Sequence, residues 1–391
     1  MKAALYIHIP FCRKKCPYCD FYSVVDCDRM TAFIRALETE IQYYAGTIWS
    51  EYEYVSIYFG GGTPSLLAPG QVHSIINMIN KHFRIVFDAE ITLEANPGAV
   101  FSKHLKQYNA AGVNRISLGV QSLADPELLK LGRIHDAGQA EKTLDLAKQV
   151  FDQVSVDLIF GIPGQTIKSW QKSLDKVLDY EPEHLSVYGL TFEPGTRFEI
   201  DLASGRLKPV HEELERSLYL TAHSVLTRSG YQHYELSNYA GPGCESRHNQ
   251  MYWTGDAYLG LGPDAHSYSP PDKRMGSAKD LALYLAELGQ NGQPPVDLEV
   301  LSFEQRLVEF VMLHLRRRPG IPLQGWTHLT GTDFLQAFES VISALGTEEQ
   351  TEPFEISPSG SYLVIHPGHL SLSAQGVLLY NTIVQRFIEK L

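Results

Sequence analysis

Three cysteines and three basic residues share one short stretch, Cys12-Arg13-Lys14-Lys15-Cys16-Pro17-Tyr18-Cys19. Cysteine thiolates are the ligands of iron–sulfur clusters, and a cubane cluster has four irons, so three cysteines leave one iron for another ligand. Arg13, Lys14 and Lys15 lie between the thiols, where they favour the thiolate forms and offset a cluster's negative charge. A closed zinc site is the competing reading. It wants four nitrogen or sulfur ligands, and Cys27 or His8 would have to supply the fourth. Free thiols side by side would oxidise readily, which makes unliganded cysteines the weakest reading.

These residues sit in a chain of 391 residues, long enough for two or three domains. Apolar residues make up 44% and charged residues 20%, an ordinary globular composition. The net charge of −12 argues against a broad nucleic-acid footprint, which needs a basic surface. Nowhere do about 18 apolar residues follow one another, so no spanning helix is expected. The opening apolar run stops at Pro10 without a small-residue cleavage site and reads as a strand, not a signal peptide. Five cysteines, three of them clustered, suit a reduced compartment and a metal site. A cytoplasmic location is therefore expected, free or peripheral at a membrane.

Up to about Leu190, β-rich runs alternate with amphipathic segments of helical length. The expected strands are Ala3–Ile9, Val55–Phe59, Ile91–Ala95, Arg115–Val120, Ser155–Phe160 and His184–Leu190. Helical patterns fill the gaps, at Met30–Tyr44, Gly70–His82, Ser102–Ala111, Ala137–Gln149 and Thr166–Leu178. Six such units predict an α/β fold, a partial (βα)6 barrel resembling an incomplete TIM barrel, with its chemistry at the C-terminal ends of the strands. The residues able to do chemistry fall there: the cysteine loop, Gly60–Gly62, Glu94, Gln121, and Gly161–Gly164. Tyr231–Pro263, rich in Gly, His and aromatic residues, shows little periodicity, and a Pro/Gly linker follows near Asn291–Pro295. The expected domains are thus 1–230, a middle segment 231–295, and 296–391. The last is predicted to be a small α+β domain of winged-helix character, with helices at Phe303–Arg317 and Ala374–Lys390 around a hairpin, Tyr362–His366 with Leu370–Leu372.

The CxxxCxxC spacing directly after a first strand resembles the signature of the radical S-adenosylmethionine superfamily. That resemblance implies a [4Fe–4S] cluster on Cys12, Cys16 and Cys19, with S-adenosylmethionine at the open iron. It gives the other motifs roles as cofactor contacts. Gly61, Gly62 and Thr63 resemble the glycine-rich segment on which the cofactor's amino group lies, and Glu94 is similar to the acid that contacts the cofactor. Gln121 and Arg133 look like the residues holding its ribose and carboxylate, and Asp157 resembles a ribose-side contact. Tyr6 and Tyr18 match contacts near the cluster.

The motifs YIHIPFC, CPYCDF, GGGTPS, LEANPG, GVQS, LGRIH and DLIFGIPGQT resemble the branch that holds the oxygen-independent coproporphyrinogen III dehydrogenase and the HemW-type heme chaperones. The dehydrogenase has a further cysteine two residues after the third, where this chain has Phe21. It also has a sizeable segment ahead of its cluster motif, where this chain has eleven residues. His248-Asn249-Gln250-Met251-Tyr252-Trp253 matches the HNxxYW motif of the chaperones. The resemblance implies a heme chaperone: His248 would bind heme, which passes to an acceptor protein, respiratory or membrane-associated. The alternative is oxidative decarboxylation of coproporphyrinogen III, and any further radical cleavage activity stays open. A bland reading keeps His248 as a hydrogen-bonding core residue with Tyr252 and Trp253 filling the lower mouth of the barrel. Cys244 and His266 are lesser ligand candidates, Cys27 reads as structural, and Arg316–Arg318 read as a solvated helix end able to touch an acidic partner or anionic lipid.

Overall fold

The computed structural model describes residues 1–349 and 360–391. Six parallel strands form its centre: β1 (Lys2–Ile9), β2 (Glu53–Gly61), β3 (Arg84–Ala95), β4 (Arg115–Gln121), β5 (Gln153–Phe160) and β6 (His184–Gly189). They pair in sequence order, each linked to the next through helical segments. This is the expected α/β arrangement, with β3 starting seven residues earlier than its pattern suggests.

Both faces of the strands are covered, and the alternation sorts two kinds of residue. On β1, Leu5, Ile7 and Ile9 join the apolar core, whereas Tyr6 and His8 belong to the opposite face. On β2 the same split separates Ile57 and Phe59 from Ser56 and Tyr58. The inner face of the curved sheet is therefore polar, carrying Glu90, Thr92, Glu94, Arg115, Ser117, Ser155, Asp157 and His184. Burying so many polar groups is tolerable only where they pair with one another or with a ligand.

The middle segment belongs to the same sheet. Strands β7 (Gln232–Glu235) and β8 (Asn238–Ala240) extend it beyond β6, and β9 (Ala257–Leu261) pairs in parallel with β1. Three antiparallel strands continue that side: β10 (His266–Ser269), β11 (Lys273–Ser277) and β12 (Val296–Val300). The order is β12-β11-β10-β9-β1-β2-β3-β4-β5-β6-β8-β7, an open sheet of twelve strands. These edge strands have three to five residues each, too short to show a clear period.

A helix of the middle segment, Arg247–Thr254, closes the N-terminal end of the barrel. Ser246 caps it, accepting the Asn249 N–H at 3.2 Å, and left-handed Gly255 ends it. Beyond residue 300 a second core forms around Leu307, Val311, Trp326, Phe334, Phe338 and Phe387. Here β15 (Leu363–His366) and β16 (His369–Leu372) make the expected hairpin, flanked by β13 (Ile321–Pro322) and β14 (Thr347–Glu349). The hairpin turn is Pro367-Gly368, and His369 already belongs to the second strand.

The arginine run turns inward. Arg316 pairs with the carboxylate of Glu235 at 3.0 Å and lies 4.2 Å over the Trp253 ring. Arg317 donates to Gln250 at 3.2 Å, and all three arginines are half-buried. They join the last domain to the barrel's lower end instead of forming a solvated basic patch. Among the described residues, no helix is long and apolar enough to cross a membrane.

Candidate functional site

The cysteine loop is held on the barrel rim by its own backbone. Val24 N–H donates to Pro10 O at 2.8 Å and Cys12 N–H to Val24 O at 3.0 Å, pinching Cys12–Val24 into a closed loop. Gly62 N–H donates to Ile9 O, laying the glycine run against the strand that delivers Cys12. A Cβ at Gly62 would sit 2.6 Å from Phe11 O, so only glycine allows this approach, and Gly61 has a φ of +103°. The Cys12 Sγ then lies 3.4 Å from Thr63 Oγ1. Arg133 donates to Cys16 Sγ at 3.6 Å, to the Tyr18 hydroxyl at 3.5 Å and to Gly119 O at 2.8 Å.

The three thiols are free and half-buried. Burial pushes the Cys19 thiol up, more than the Phe21 N–H and Lys15 pull it down, so the basic run does not by itself make Cys19 a thiolate. Among the described residues, no three His, Cys, Asp or Glu side chains gather around a single point where one metal ion would sit. A cubane cluster needs no such point, because each cysteine binds a different iron.

Beneath the loop lies a cavity of about 950 Å³. Tyr18, Cys19, Gly61, Gly62, Thr63, Glu94, Gln121, Arg133 and Asp157 all line it, so most of the residues singled out by sequence meet on one wall. Cys16 lies in a neighbouring recess with Arg13 and Thr63. Among the described residues, two rim side chains keep buried polar atoms without a protein partner, Gln121 Oε1 and Arg133 Nε. Gln121 also holds a left-handed φ of +66°, a conformation that few residues other than glycine adopt. These orphaned groups, the glycine cradle and the thiols fit a cluster and a polar cofactor seated on the rim.

Midway down, two carboxylates face the cavity. Burial and the neighbouring Asp157 push Glu94 up to about 8, although the Tyr58 hydroxyl donates to it at 2.8 Å. Burial pushes Asp157 to about 6, against hydrogen bonds from Ser186 and Ser117. Tyr58 escapes a motif search, but it sits two residues before Gly60 on the same inward face.

Besides Cys12 and Cys16, two expected residues stand off the cavity wall. Tyr6 stacks on Tyr58 at 6.1 Å and its hydroxyl meets His8 Nδ1 at 3.3 Å. His248 is 1% exposed and lies at the barrel's lower end. Its Nδ1 is 2.9 Å from Ser56 Oγ and its Nε2 2.8 Å from the Tyr252 hydroxyl, with Tyr58 stacked at 4.8 Å. Burial pushes its pKa down to about 3, so the ring is neutral. Of the HNxxYW residues, Asn249 alone reaches the cavity wall. The Cys244 thiol accepts from Gln153 at 3.7 Å and its carbonyl from Arg115, His266 is exposed on β10, and Cys27 is exposed.

A parallel partial barrel with a three-cysteine loop after its first strand and a glycine cradle after its second defines a radical S-adenosylmethionine protein. Residues 6–177 match the Radical SAM superfamily model, and residues 301–379 match the HemN C-terminal domain. The chain is 34% identical to the heme chaperone HemW of Bacillus subtilis (strain 168), with the whole of both chains covered. To HemW of Escherichia coli (strain K12) it is 38% identical, over 70% of this chain and 72% of that one. It is 33% identical to a mitochondrial radical S-adenosyl methionine domain-containing protein 1 of Mus musculus, over 100% of this chain and 88% of the other. Its fold matches the E. coli coproporphyrinogen III oxidase HemN with a TM-score of 0.81 at 23% identity, over 100% of this chain and 91% of that one. The chain belongs to the HemW family of the radical S-adenosylmethionine superfamily.

Proposed function

We propose that the protein is a heme chaperone: it binds heme and hands it to an acceptor protein, under control of a [4Fe–4S] cluster and S-adenosylmethionine. The observation that carries this reading is the similarity over the whole of both chains to a protein named as a heme chaperone. Cys12, Cys16 and Cys19 would hold the cluster, and Arg133 would orient Cys16 and Tyr18 beside it. Gly61, Gly62 and Thr63 would support the cofactor, and Glu94 and Asp157 would contact its polar groups from below. Gln121 and Arg133 would give it their unpaired atoms. When bound, such a cluster supplies an electron that can break the sulfonium's C–S bond. The chain's contribution is to orient the cofactor and exclude water from the cavity.

His248 remains the proposed heme ligand, at a cost that the geometry makes explicit. Both ring nitrogens are engaged, so iron could reach Nε2 only after the Tyr252 hydroxyl moves away. We place the protein in the cytoplasm, at the membrane periphery when it meets a membrane-bound acceptor. The second reading, oxidation of coproporphyrinogen III, draws on the fold shared with HemN. Phe21 argues against it: it stands 65% exposed at the cavity mouth, where the dehydrogenase resemblance calls for a cysteine.

The test is an anaerobic heme titration of cluster-reconstituted wild type and His248→Ala, followed by visible absorption. Saturable binding with a shifted Soret band, weakened in a folded His248→Ala, supports the reading. Absence of saturable binding by the wild type overturns it and turns attention to coproporphyrinogen III.

A further inference from the structure

Among the described residues, unpaired buried polar groups occur at both ends of the barrel cavity. Gln121 and Arg133 account for the rim. A second set lies on strands β3, β4 and β6, nearer the helix that closes the barrel: Thr92 Oγ1, Arg115 Nη2 and His184 Nδ1. All three residues line the cavity, and each is 3% exposed or less. They are neighbours through the sheet register. Thr92 pairs with Arg115 across β3 and β4, Arg115 Nε donates to Ser155 Oγ at 3.1 Å, and Ser155 pairs with His184 across β5 and β6.

The hydrogen-bond network tells which of these groups are donors. Arg115 Nη1 donates to Glu90 Oε2 at 3.4 Å and to Cys244 O at 3.0 Å, which leaves the Nη2 protons unused. The Tyr234 hydroxyl accepts the Ser246 N–H at 3.3 Å and lies 2.8 Å from His184 Nε2. Among the described residues the Tyr234 hydroxyl has no other acceptor, so its own proton goes to Nε2, and the imidazole proton then sits on Nδ1. A guanidinium edge, an imidazole N–H and a hydroxyl therefore belong to the lining of one cavity and, among the described residues, have no acceptor. Buried donors left unmade are costly, so such a set is built for an acceptor.

Glu90 does not fill that role. Its carboxylate is spent on Arg115 and on the N-terminus of the Arg247–Thr254 helix, accepting the Arg247 and His248 N–H groups at 3.1 Å each. The other acids facing this region, Asp157 and Glu94, hold protons more readily than usual because they are buried, which reduces their repulsion of an incoming anion.

We propose that the cavity floor is a carboxylate subsite, in which Arg115 Nη2 and His184 Nδ1 donate to one carboxylate of the ligand held in the barrel. On the heme reading, on which the ligand's identity rests, that group is a propionate. About 950 Å³ reaches the upper end of the roughly 300–1,000 Å³ typical of ligand pockets, which leaves room below a cofactor on the rim. Asn249 of the HNxxYW helix borders the same floor, so the motif would meet the ligand through Asn249 as well as through His248.

Two probes test the subsite on the full-length reconstituted protein. The first compares the affinities of hemin and hemin dimethyl ester, which differ in their two carboxylates. The diacid should bind about tenfold tighter or more, and His184→Phe should shrink that ratio while leaving the ester unchanged. Equal affinities in the wild type would overturn the subsite. If neither tetrapyrrole binds, the heme reading fails, and the second probe decides the subsite alone. This is propionate, titrated while the ¹⁵N resonance of His184 Nδ1 is followed in histidine-labelled protein. A saturable shift, lost in Arg115→Gln, would support the carboxylate site; an unmoved resonance would sink it. The wild-type comparison and the propionate titration stand even if His184→Phe does not fold.

Discussion

Glu90 Oε1 accepts the backbone N–H of His248 at 3.1 Å, tying the inner face of β3 to the helix that carries the HNxxYW motif. The same carboxylate accepts the Arg247 N–H and balances Arg115, whose side chain is almost wholly buried. Glu90→Ala should remove a helix cap and leave a buried guanidinium without its counter-charge. Breaking such a buried pair costs about 3–5 kcal/mol. Urea denaturation should show that loss, with Glu90→Gln losing less because an amide oxygen can still accept the helix N–H groups. An Ala variant as stable as the wild type would mean that the lower plug holds without Glu90.

The buried histidines set an acid limit on stability. Burial is the first cause in each case: His135 and His223 are pushed down to about 4, His233 and His248 to about 3. The unfolded chain takes up these protons near pH 6.5 and the folded chain only well below it. Their contribution is therefore whole above pH 6.5 and is lost as pH falls toward 4. Glu40, Glu94 and Asp157, raised to about 7, 8 and 6, act in the opposite sense over part of that window. A single substitution isolates one term. His248→Gln should flatten the fall in unfolding free energy between pH 6 and pH 5 by about 1 kcal/mol per pH unit. An unchanged slope would mean that His248 is protonated in the folded protein.

The upper half of the site was legible because its chemistry is local in sequence. Cys12, Cys16 and Cys19 announce themselves by spacing, and the long central strands fix which residues end at the rim. Glu94 and Gln121 were found through motifs that sit at those strand ends, and Arg133 through a motif in the connection that follows the fourth strand. The lower half was not legible, because its partners come from far apart in the chain. Ser56 meets His248 across 192 residues, and Ser246 meets Glu90 across 156. The i+4 spacing in HNxxYW puts Tyr252 within reach of one imidazole nitrogen, but nothing local reveals that Ser56 engages the other, or that Asn249 is the motif residue on the cavity. Arg316–Arg318 misled for the same reason: three adjacent arginines look solvated until Glu235 and Trp253 arrive from another domain. The short edge strands carried too few residues for a period to show.

The glycine cradle gives the sharpest test of how the cluster loop is held. A methyl group at Gly62 would meet Phe11 O at 2.6 Å and Ile9 O at 2.9 Å, both backbone atoms that cannot swing aside. Gly62→Ala must therefore push β2 and the start of the cysteine loop apart, and Cys12 would leave its place beside Thr63. Gly70→Ala is the matched control, since a Cβ there meets nothing within 4 Å. After anaerobic reconstitution, iron and acid-labile sulfide per chain should fall several-fold in Gly62→Ala and stay at the wild-type level in Gly70→Ala. Circular dichroism should show the barrel intact in both, because the clash is confined to the rim while the apolar core lies on the outer faces of the strands. A fully loaded Gly62→Ala variant would show that the loop binds its cluster without resting on the glycine run.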